Sequence, residues 1–302
     1  MSMERYIPRG KMLIIGGAED KGSNEKPAIE RLNRDFEHFE ILKELLPEKG
    51  HNDRAIEIIT TASRHPRDIE DRYRDAFEEI GFDNVNFMTI VNNDDARDES
   101  FVRRIENAYA VMLSGGEQLR LSTVLGNSPV WETLYDRYMD DPDFIIAGTS
   151  AGAMAMSEVM IMEGDTNEAL LKGSVKMSAG LGFINHCIID THFIKRGRFG
   201  RLSEAIIMNP MCIGIGLGED TALIIRDGNE AECRGSGMVI VIDGKLIRHT
   251  NISYAEKETP LCAENLRVHI LKRGCGFLFK EREFLPARED LRIEREIANS
   301  ER

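Results

Sequence analysis

Short apolar runs alternate with longer charged stretches over the first half of the chain. The runs are four or five residues long and begin at Met12, Ile56, Val85, Tyr109 and Phe144. The charged stretches between them have helical periodicity, and this alternation is typical of βαβ units. The pattern predicts an α/β fold with a doubly wound, mostly parallel sheet, helices on both of its faces and right-handed crossovers.

Beyond residue 210 the apolar runs follow one another more closely. They begin at Cys212, Thr221, Met238 and Arg267. Turn signals such as Asp243-Gly244 separate them, so additional antiparallel strands are expected in the C-terminal third. The last stretch is highly charged and is expected to be helical or frayed. We therefore predict a single α/β domain over residues 1–280 and a charged tail over residues 281–302.

Composition and charge narrow the class of protein. The 302 residues carry a net charge of −13 and are 42% hydrophobic. Such acidity disfavours nucleic acid or an anionic membrane as a partner, because both require a basic face. We expect a cytoplasmic protein, since the N-terminus has no signal-peptide pattern and no stretch reaches the ~20 apolar residues of a membrane span. The five cysteines are odd in number and form no CxxC pair, so neither a disulfide framework nor a zinc site is predicted.

A serine lies between glycines where a predicted strand meets a predicted helix. Residues 148–153 read Gly-Thr-Ser-Ala-Gly-Ala, after the apolar run at 144–147 and before a stretch that favours helix. This is the layout of a nucleophile elbow, in which small neighbours let the strand and helix close around the serine. Ser150 is therefore the candidate nucleophile.

A serine hydroxyl needs a base, and the base needs an acid that orients it. His192 is the candidate base, because it ends a strand-like run beside a group of arginines, whereas the other six histidines lie in polar helices, loops or ordinary strands. The candidate acids between Ser150 and His192 are Glu158, Glu163, Asp165 and Glu168. Glu168 fits the order serine, acid, histidine of α/β-hydrolases, but spacing alone does not rank it above Glu163.

Three further groups complete the candidate site. The backbone N–H of Ala151 and one from the loop around Gly116 are candidate oxyanion donors. Asp190 lies two residues before His192, so on an extended strand both side chains share a face and Asp190 is a candidate substrate contact. Guanidinium groups beside a base suit capture of a substrate carboxylate, and the arginines in question are Arg196, Arg198 and Arg201. A solvated helix face is the alternative reading of this arginine cluster.

Several motifs together resemble those of the cyanophycinases, in the serine peptidase family that also contains aspartyl dipeptidases. They are Gly16-Gly17-Ala18-Glu19-Asp20-Lys21, Thr60-Thr61-Ala62-Ser63, Gly115-Gly116-Glu117-Gln118-Leu119-Arg120, residues 148–153, Asp190-Thr191-His192-Phe193 with its arginines, and Gly216-Leu217-Gly218-Glu219-Asp220-Thr221-Ala222. The resemblance covers roughly residues 10–280 and leaves the charged tail outside.

The resemblance implies a site and a substrate. It implies a triad of Ser150, His192 and Glu168, with Gln118, Asp190 and the arginine cluster around the substrate, and a homodimer. It also implies hydrolysis of cyanophycin, a polyaspartate backbone with arginine on each side chain, to β-Asp-Arg dipeptides. These enzymes usually carry glutamine at the position of Thr191. Thr191 is expected to contact the substrate, and the substrate preference of this chain is expected to differ from theirs through that contact.

The leading hypothesis is thus a serine exopeptidase that needs no metal or cofactor. A related peptidase for aspartyl or isoaspartyl peptides is the alternative. A nucleotide-binding protein is a weaker one, because the glycine-rich turns fit neither GxGxxG nor a P-loop. A glutamine amidotransferase-like domain is disfavoured, since it places cysteine at the elbow.

Overall fold

The structure is a computed structural model that describes residues 7–22, 36–48, 53–164 and 170–300. Its strands are β1 (Lys11–Ile15), β2 (Ile56–Ile59), β3 (Val85–Met88), β4 (Ala110–Leu113), β5 (Ile145–Thr149), β6 (Val159–Glu163), β7 (Lys176–Ala179), β8 (Cys187–Asp190), β9 (Ile213–Leu217), β10 (Thr221–Arg226), β11 (Glu230–Gly235), β12 (Val239–Asp243), β13 (Arg267–Leu271), β14 (Gly276–Leu278) and β15 (Glu283–Leu285). Its helices are α1 (Glu40–Lys43), α2 (Pro66–Ile80), α3 (Glu99–Asn107), α4 (Gln118–Leu125), α5 (Pro129–Asp140), α6 (Ala151–Ala155), α7 (Phe199–Met208) and α8 (Arg288–Ser300).

Nine of these strands form one sheet in the order β15-β14-β11-β10-β1-β5-β4-β2-β3. The five strands from β1 to β3 in that order pair in parallel, whereas β10, β11, β14 and β15 continue the sheet antiparallel. The predicted α/β class, with a parallel centre and added antiparallel strands in the C-terminal third, is confirmed.

Alternate residues of β1 enter two different apolar cores. Met12 and Ile14 join a core that includes residues of α3, α4, α5 and α6. Leu13 and Ile15 join a second core with residues of α1 and α2. Because successive side chains of a strand point to opposite faces, helices cover both faces of the sheet, as the doubly wound prediction requires.

Local sequence signals set the ends of several helices. Asp98 caps α3, and its carboxylate accepts the Ser100 N–H at 2.7 Å. Ser128 caps α5 in the same way, accepting the Trp131 N–H at 3.2 Å, and Pro129 follows it. These residues satisfy first-turn donors that have no partner within the helix. At the end of α2, Gly81 adopts φ 89°, a conformation that favours glycine.

A smaller sheet, in the order β13-β12-β9-β8, carries part of the site. Strands β8 and β9 pair in parallel, with Asp190 opposite Gly216. Strand β12 pairs antiparallel with both β9 and β13. A separate antiparallel pair, β6 with β7, lies in the segment between the elbow and β8. The loops after β8 and β9 therefore leave one edge of this sheet side by side.

The C-terminal segment takes part in the main sheet. Strand β15 pairs with β14 through Leu278 and Glu283, so the domain boundary predicted at residue 280 falls inside a β-hairpin. Helix α8 follows, in agreement with the helical tail expected there. No helix in the described ranges has the length and apolar composition needed to cross a bilayer.

The carboxyl ends of three parallel strands meet at one edge of the main sheet. Ile15 at the end of β1 is opposite Thr149 of β5, and Leu113 of β4 is opposite Gly148. The glycine-rich turns at 16–17, 115–116 and 148–152 follow these ends directly. Ligands bind at this edge in open α/β sheets, so the fold places the three turns around one candidate site.

Candidate active site

Ser150 occupies a strained turn between β5 and α6. Its φ of 52° and ψ of −116° lie in a region that non-glycine residues rarely adopt. The Ser150 N–H donates to the Ile15 carbonyl at 2.9 Å. A Cβ atom at Gly148 would lie 2.6 Å from the Gly152 backbone, and one at Gly152 would lie 2.1 Å from the Leu113 carbonyl oxygen. Both glycines are therefore required by close packing, as expected of a nucleophile elbow.

His192 faces Ser150 across the end of the sheet. The Ser150 Oγ lies 3.0 Å from the His192 Nε2. The His192 backbone has φ 48°, and its N–H donates to the Gly16 carbonyl at 2.9 Å. Gly17 packs so closely on the ring that a Cβ there would lie 2.5 Å from Nε2. The turn after β1 therefore fixes where the imidazole lies.

The acid that contacts His192 is Glu219, directly after β9. The His192 Nδ1 lies 2.8 Å from one Glu219 oxygen, and the Lys195 ammonium lies 2.9 Å from the other. A carboxylate only accepts, so Nδ1 carries the proton and Nε2 is free to accept from the Ser150 hydroxyl. Glu168, the acid predicted from the sequence, lies outside the described residues, whereas the position beside Nδ1 is filled by Glu219.

A signal for Glu219 existed in the sequence. Glu219 belongs to a glycine-rich motif at a strand end, which is the same kind of position that indicated Ser150 and His192. The order of α/β-hydrolases predicts an acid between the serine and the histidine. The parallel pairing of β8 with β9 instead brings the acid from a position that follows the histidine in the chain.

The two titrating groups of this pair have shifted pKa values. Burial lowers the pKa of His192 below its usual range, although the hydrogen bond to Glu219 opposes the shift, and Arg196 lowers it further. Burial alone would raise the pKa of Glu219, but the hydrogen bonds from His192 and Lys195 outweigh it and hold that pKa below the usual range. At neutral pH the pair is therefore a neutral imidazole beside a carboxylate, which is the state a general base needs.

Two predicted oxyanion donors border Ser150. Ala151 is the first residue of α6, so its N–H has no acceptor within the helix. The loop of Gly115 and Gly116 also comes close to the serine, since a Cβ at Gly115 would be 3.3 Å from the Ser150 Cβ. Gly116 has φ 146°, and a Cβ there would lie 2.0 Å from the Ala62 carbonyl oxygen. The geometry therefore brings both predicted donor segments to the serine.

Asp190 is buried and bound to two of the arginines. Arg201 forms two hydrogen bonds with its oxygens, at 2.7 and 2.6 Å, and Arg198 a third at 3.1 Å. The Asp190 side chain has no exposed surface, and that of Arg201 is 8% exposed. The prediction that Asp190 shares a face with His192 is not met, because β8 ends at Asp190 and the positive φ of His192 breaks the alternation. The buried Asp190 carboxylate is therefore the counter-charge of Arg198 and Arg201.

The remaining predicted contacts differ in their access to a substrate. Thr191 is 1% exposed, and its N–H donates to the Asp190 carboxylate at 2.8 Å. This burial does not fit the predicted substrate contact. Gln118 donates through its amide to the carbonyls of Ile161 and Met162, at 3.0 and 3.1 Å. Arg196 is exposed and is thus accessible to a ligand beside His192.

No cluster of three or more metal-binding side chains occurs within the described ranges. The side chains that can perform chemistry here form the hydrogen-bonded chain of Ser150, His192 and Glu219. A hydroxyl whose proton passes to an oriented neutral imidazole is a nucleophile, and adjacent backbone N–H groups can stabilise an oxyanion.

Comparison with known proteins supports the same class of chemistry. A family model for peptidase family S51 matches residues 31–232. The chain belongs to this family. It is therefore a peptidase, as the motifs of the elbow and the strand ends predicted.

Individual relatives extend the similarity over nearly the whole chain. A cyanophycinase from Geminocystis herdmanii is 35% identical over 272 residues, which are 90% of this chain and 94% of that protein. A cyanophycinase from Nostoc sp. is 36% identical over 289 residues, or 95% and 92% of the two chains. The predicted resemblance to cyanophycinases is thus confirmed.

A solved structure supports the fold alone. The crystal structure of a peptidase from an acI-B1 Actinobacterium superposes with a TM-score of 0.61 at 21% identity, covering 91% of this chain and 98% of that one.

Proposed function

We propose that this S51 peptidase is a serine exopeptidase that degrades cyanophycin and releases β-Asp-Arg dipeptides. The observation that carries the proposal is the hydrogen-bonded chain from the Ser150 hydroxyl through His192 to Glu219. The relatives named cyanophycinase, with similar length and more than a third of positions identical to this chain, support the substrate.

In this mechanism Ser150 Oγ attacks the carbonyl carbon of a backbone peptide bond while its proton passes to His192 Nε2. The N–H groups of Ala151 and Gly116 hold the oxyanion. When the C–N bond breaks, His192 gives the proton to the leaving amine, and an acyl-enzyme remains on Ser150. Water then attacks the acyl carbon with His192 again as the base, which frees Ser150.

Glu219 has the role of the third member in this proposal, because it is the carboxylate that contacts Nδ1. It keeps the imidazole in the tautomer that accepts from serine and stabilises the imidazolium that forms. We assign no such role to Glu168.

Arg196 is the proposed contact for a substrate carboxylate. It is exposed next to His192, whereas Arg198 and Arg201 are bound to Asp190. Arg198 and Arg201 then stabilise the loop after β8 through their bonds to Asp190. The homodimer and the cytoplasmic location stay predictions.

The test is incubation of the protein with cyanophycin and, separately, with a free isoaspartyl dipeptide, with products identified by mass spectrometry. We expect β-Asp-Arg from cyanophycin, and none from the Ser150→Ala variant. Ser122→Ala is the matched control, because its hydroxyl donates within α4 to Leu119. Cleavage of the isoaspartyl dipeptide without release of β-Asp-Arg would replace the proposed substrate by the aspartyl or isoaspartyl alternative. Undiminished turnover by Ser150→Ala would refute the mechanism.

A further inference from the structure

A second carboxylate, Glu19, is buried behind the catalytic serine. It lies in the turn after β1 and is 4% exposed. One of its oxygens accepts from the Tyr73 hydroxyl and lies 3.0 Å from the Lys21 ammonium. The other oxygen accepts from the Thr149 hydroxyl at 2.8 Å. The proposed mechanism uses none of these four residues.

The Glu19 carboxylate is held in its charged form. Burial opposes ionisation, but Lys21 and the Tyr73 hydroxyl outweigh it and lower the pKa of Glu19 to about 2. A charged acceptor forms stronger and shorter hydrogen bonds than a neutral one. The hydrogen bond to Thr149 is therefore a charge-assisted link between the turn after β1 and the end of β5.

One of these segments carries Ser150, and the other contacts the base His192. Thr149 is bonded through the chain to Ser150, whose backbone is strained at φ 52°. Two residues before Glu19, Gly17 packs against the His192 ring, and Gly16 accepts the His192 N–H. Glu19 thus links the strand end that precedes Ser150 to the turn that contacts His192.

We infer that Glu19 is a positioning residue, which acts through Thr149 to hold the Ser150 hydroxyl at hydrogen-bond distance from His192. The inference rests on the proposed function, because it concerns the alignment of that catalytic pair. A residue in a sparsely populated backbone conformation persists only where its surroundings fix it. The side-chain bond at Thr149 fixes the peptide directly before the strained serine, while the Ser150 N–H is fixed by Ile15.

This role differs from simple stabilisation in a way that can be measured. Thr149 and Tyr73 both donate to the same buried carboxylate, but only Thr149 adjoins Ser150. Thr149→Val and Tyr73→Phe each remove one hydroxyl with little change of shape. Both variants leave Glu19 short of one donor and are expected to lower the melting temperature to a similar extent. Only Thr149→Val should move the serine.

The experiment compares Thr149→Val, Thr149→Ser and Tyr73→Phe by kcat and KM on the substrate that wild type cleaves. It adds the rate at which a fluorophosphonate labels Ser150. Thr149→Val should lower kcat and the labelling rate about 10- to 100-fold with KM unchanged, because misplacement of a reacting group by a fraction of an ångström to 1 Å costs up to about 10² in rate. Thr149→Ser keeps the hydroxyl and should restore most of both rates, and Tyr73→Phe should keep both near wild type.

The inference is overturned if Thr149→Val labels and turns over at the wild-type rate, or if Tyr73→Phe loses as much activity as Thr149→Val. Equal losses in Thr149→Val and Thr149→Ser would also overturn it, since the hydroxyl would then not be the cause. Failure of the proposed function has a different signature: wild type itself would then show neither turnover nor labelling of Ser150.

Discussion

Glu219→Gln removes the negative charge beside His192 and keeps the size of the side chain. The carboxylate lies 2.8 Å from Nδ1, so the charge centres of the carboxylate and an imidazolium are roughly 4 Å apart. At an effective dielectric constant of about 20 their attraction is about 4 kcal/mol. This attraction exists only when His192 is protonated, as in the transition state, so its loss should lower kcat about 10³-fold.

The assay is steady-state kinetics on the substrate that wild type cleaves. KM should change little, because Glu219 contacts His192 and Lys195 rather than the substrate. Glu168→Gln is the companion variant and should keep kcat within a few fold of wild type. A loss of about 10³ in kcat in Glu168→Gln, together with near-normal kcat in Glu219→Gln, would show that Glu168 and not Glu219 is the catalytic acid.

Three further variants, with Gly81→Ala as a control for the first, test the surroundings of the pair. Gly17→Ala places a methyl group 2.5 Å from the His192 Nε2 and should lower kcat about 10²-fold. Gly81→Ala is the control, because Gly81 has a similar φ but open space around it. This variant should lower thermal stability only. Because the base must be neutral, kcat/KM should fall as pH decreases through the lowered pKa of His192. Arg196→Gln removes a positive charge that lowers this pKa, so the fall in kcat/KM should occur at higher pH in the variant. Asp190→Asn leaves the buried Arg201 and the partly buried Arg198 without their counter-charge and should cost about 3–5 kcal/mol in denaturant unfolding.

The features that sequence predicted best are those encoded over short distances. The elbow needs only a strand, a helix and small residues within 148–153, and all of these are local. The parallel centre of the sheet likewise follows from the alternation of apolar and helical segments, since each βαβ unit has one favoured hand.

The features that sequence missed depend on pairing between distant strands. Glu219 contacts His192 because β9 pairs with β8. The glycine-rich motif around Glu219 marks a strand end, but it does not encode which strand lies next to it. The expected shared face of Asp190 and His192 assumed an extended chain through His192, whose φ is 48°. At this bend the His192 N–H donates to the Gly16 carbonyl, while Asp190 binds Arg198 and Arg201.

As the proposed nucleophile of this peptidase, Ser150 should form a covalent intermediate. The most direct measurement is labelling with a fluorophosphonate, followed by peptide mapping in a mass spectrometer. We expect one adduct, on Ser150, which is absent from Ser150→Ala and forms much more slowly in His192→Ala. An active enzyme that acquires no adduct, or one that carries it on another residue, would rule out Ser150 as the nucleophile.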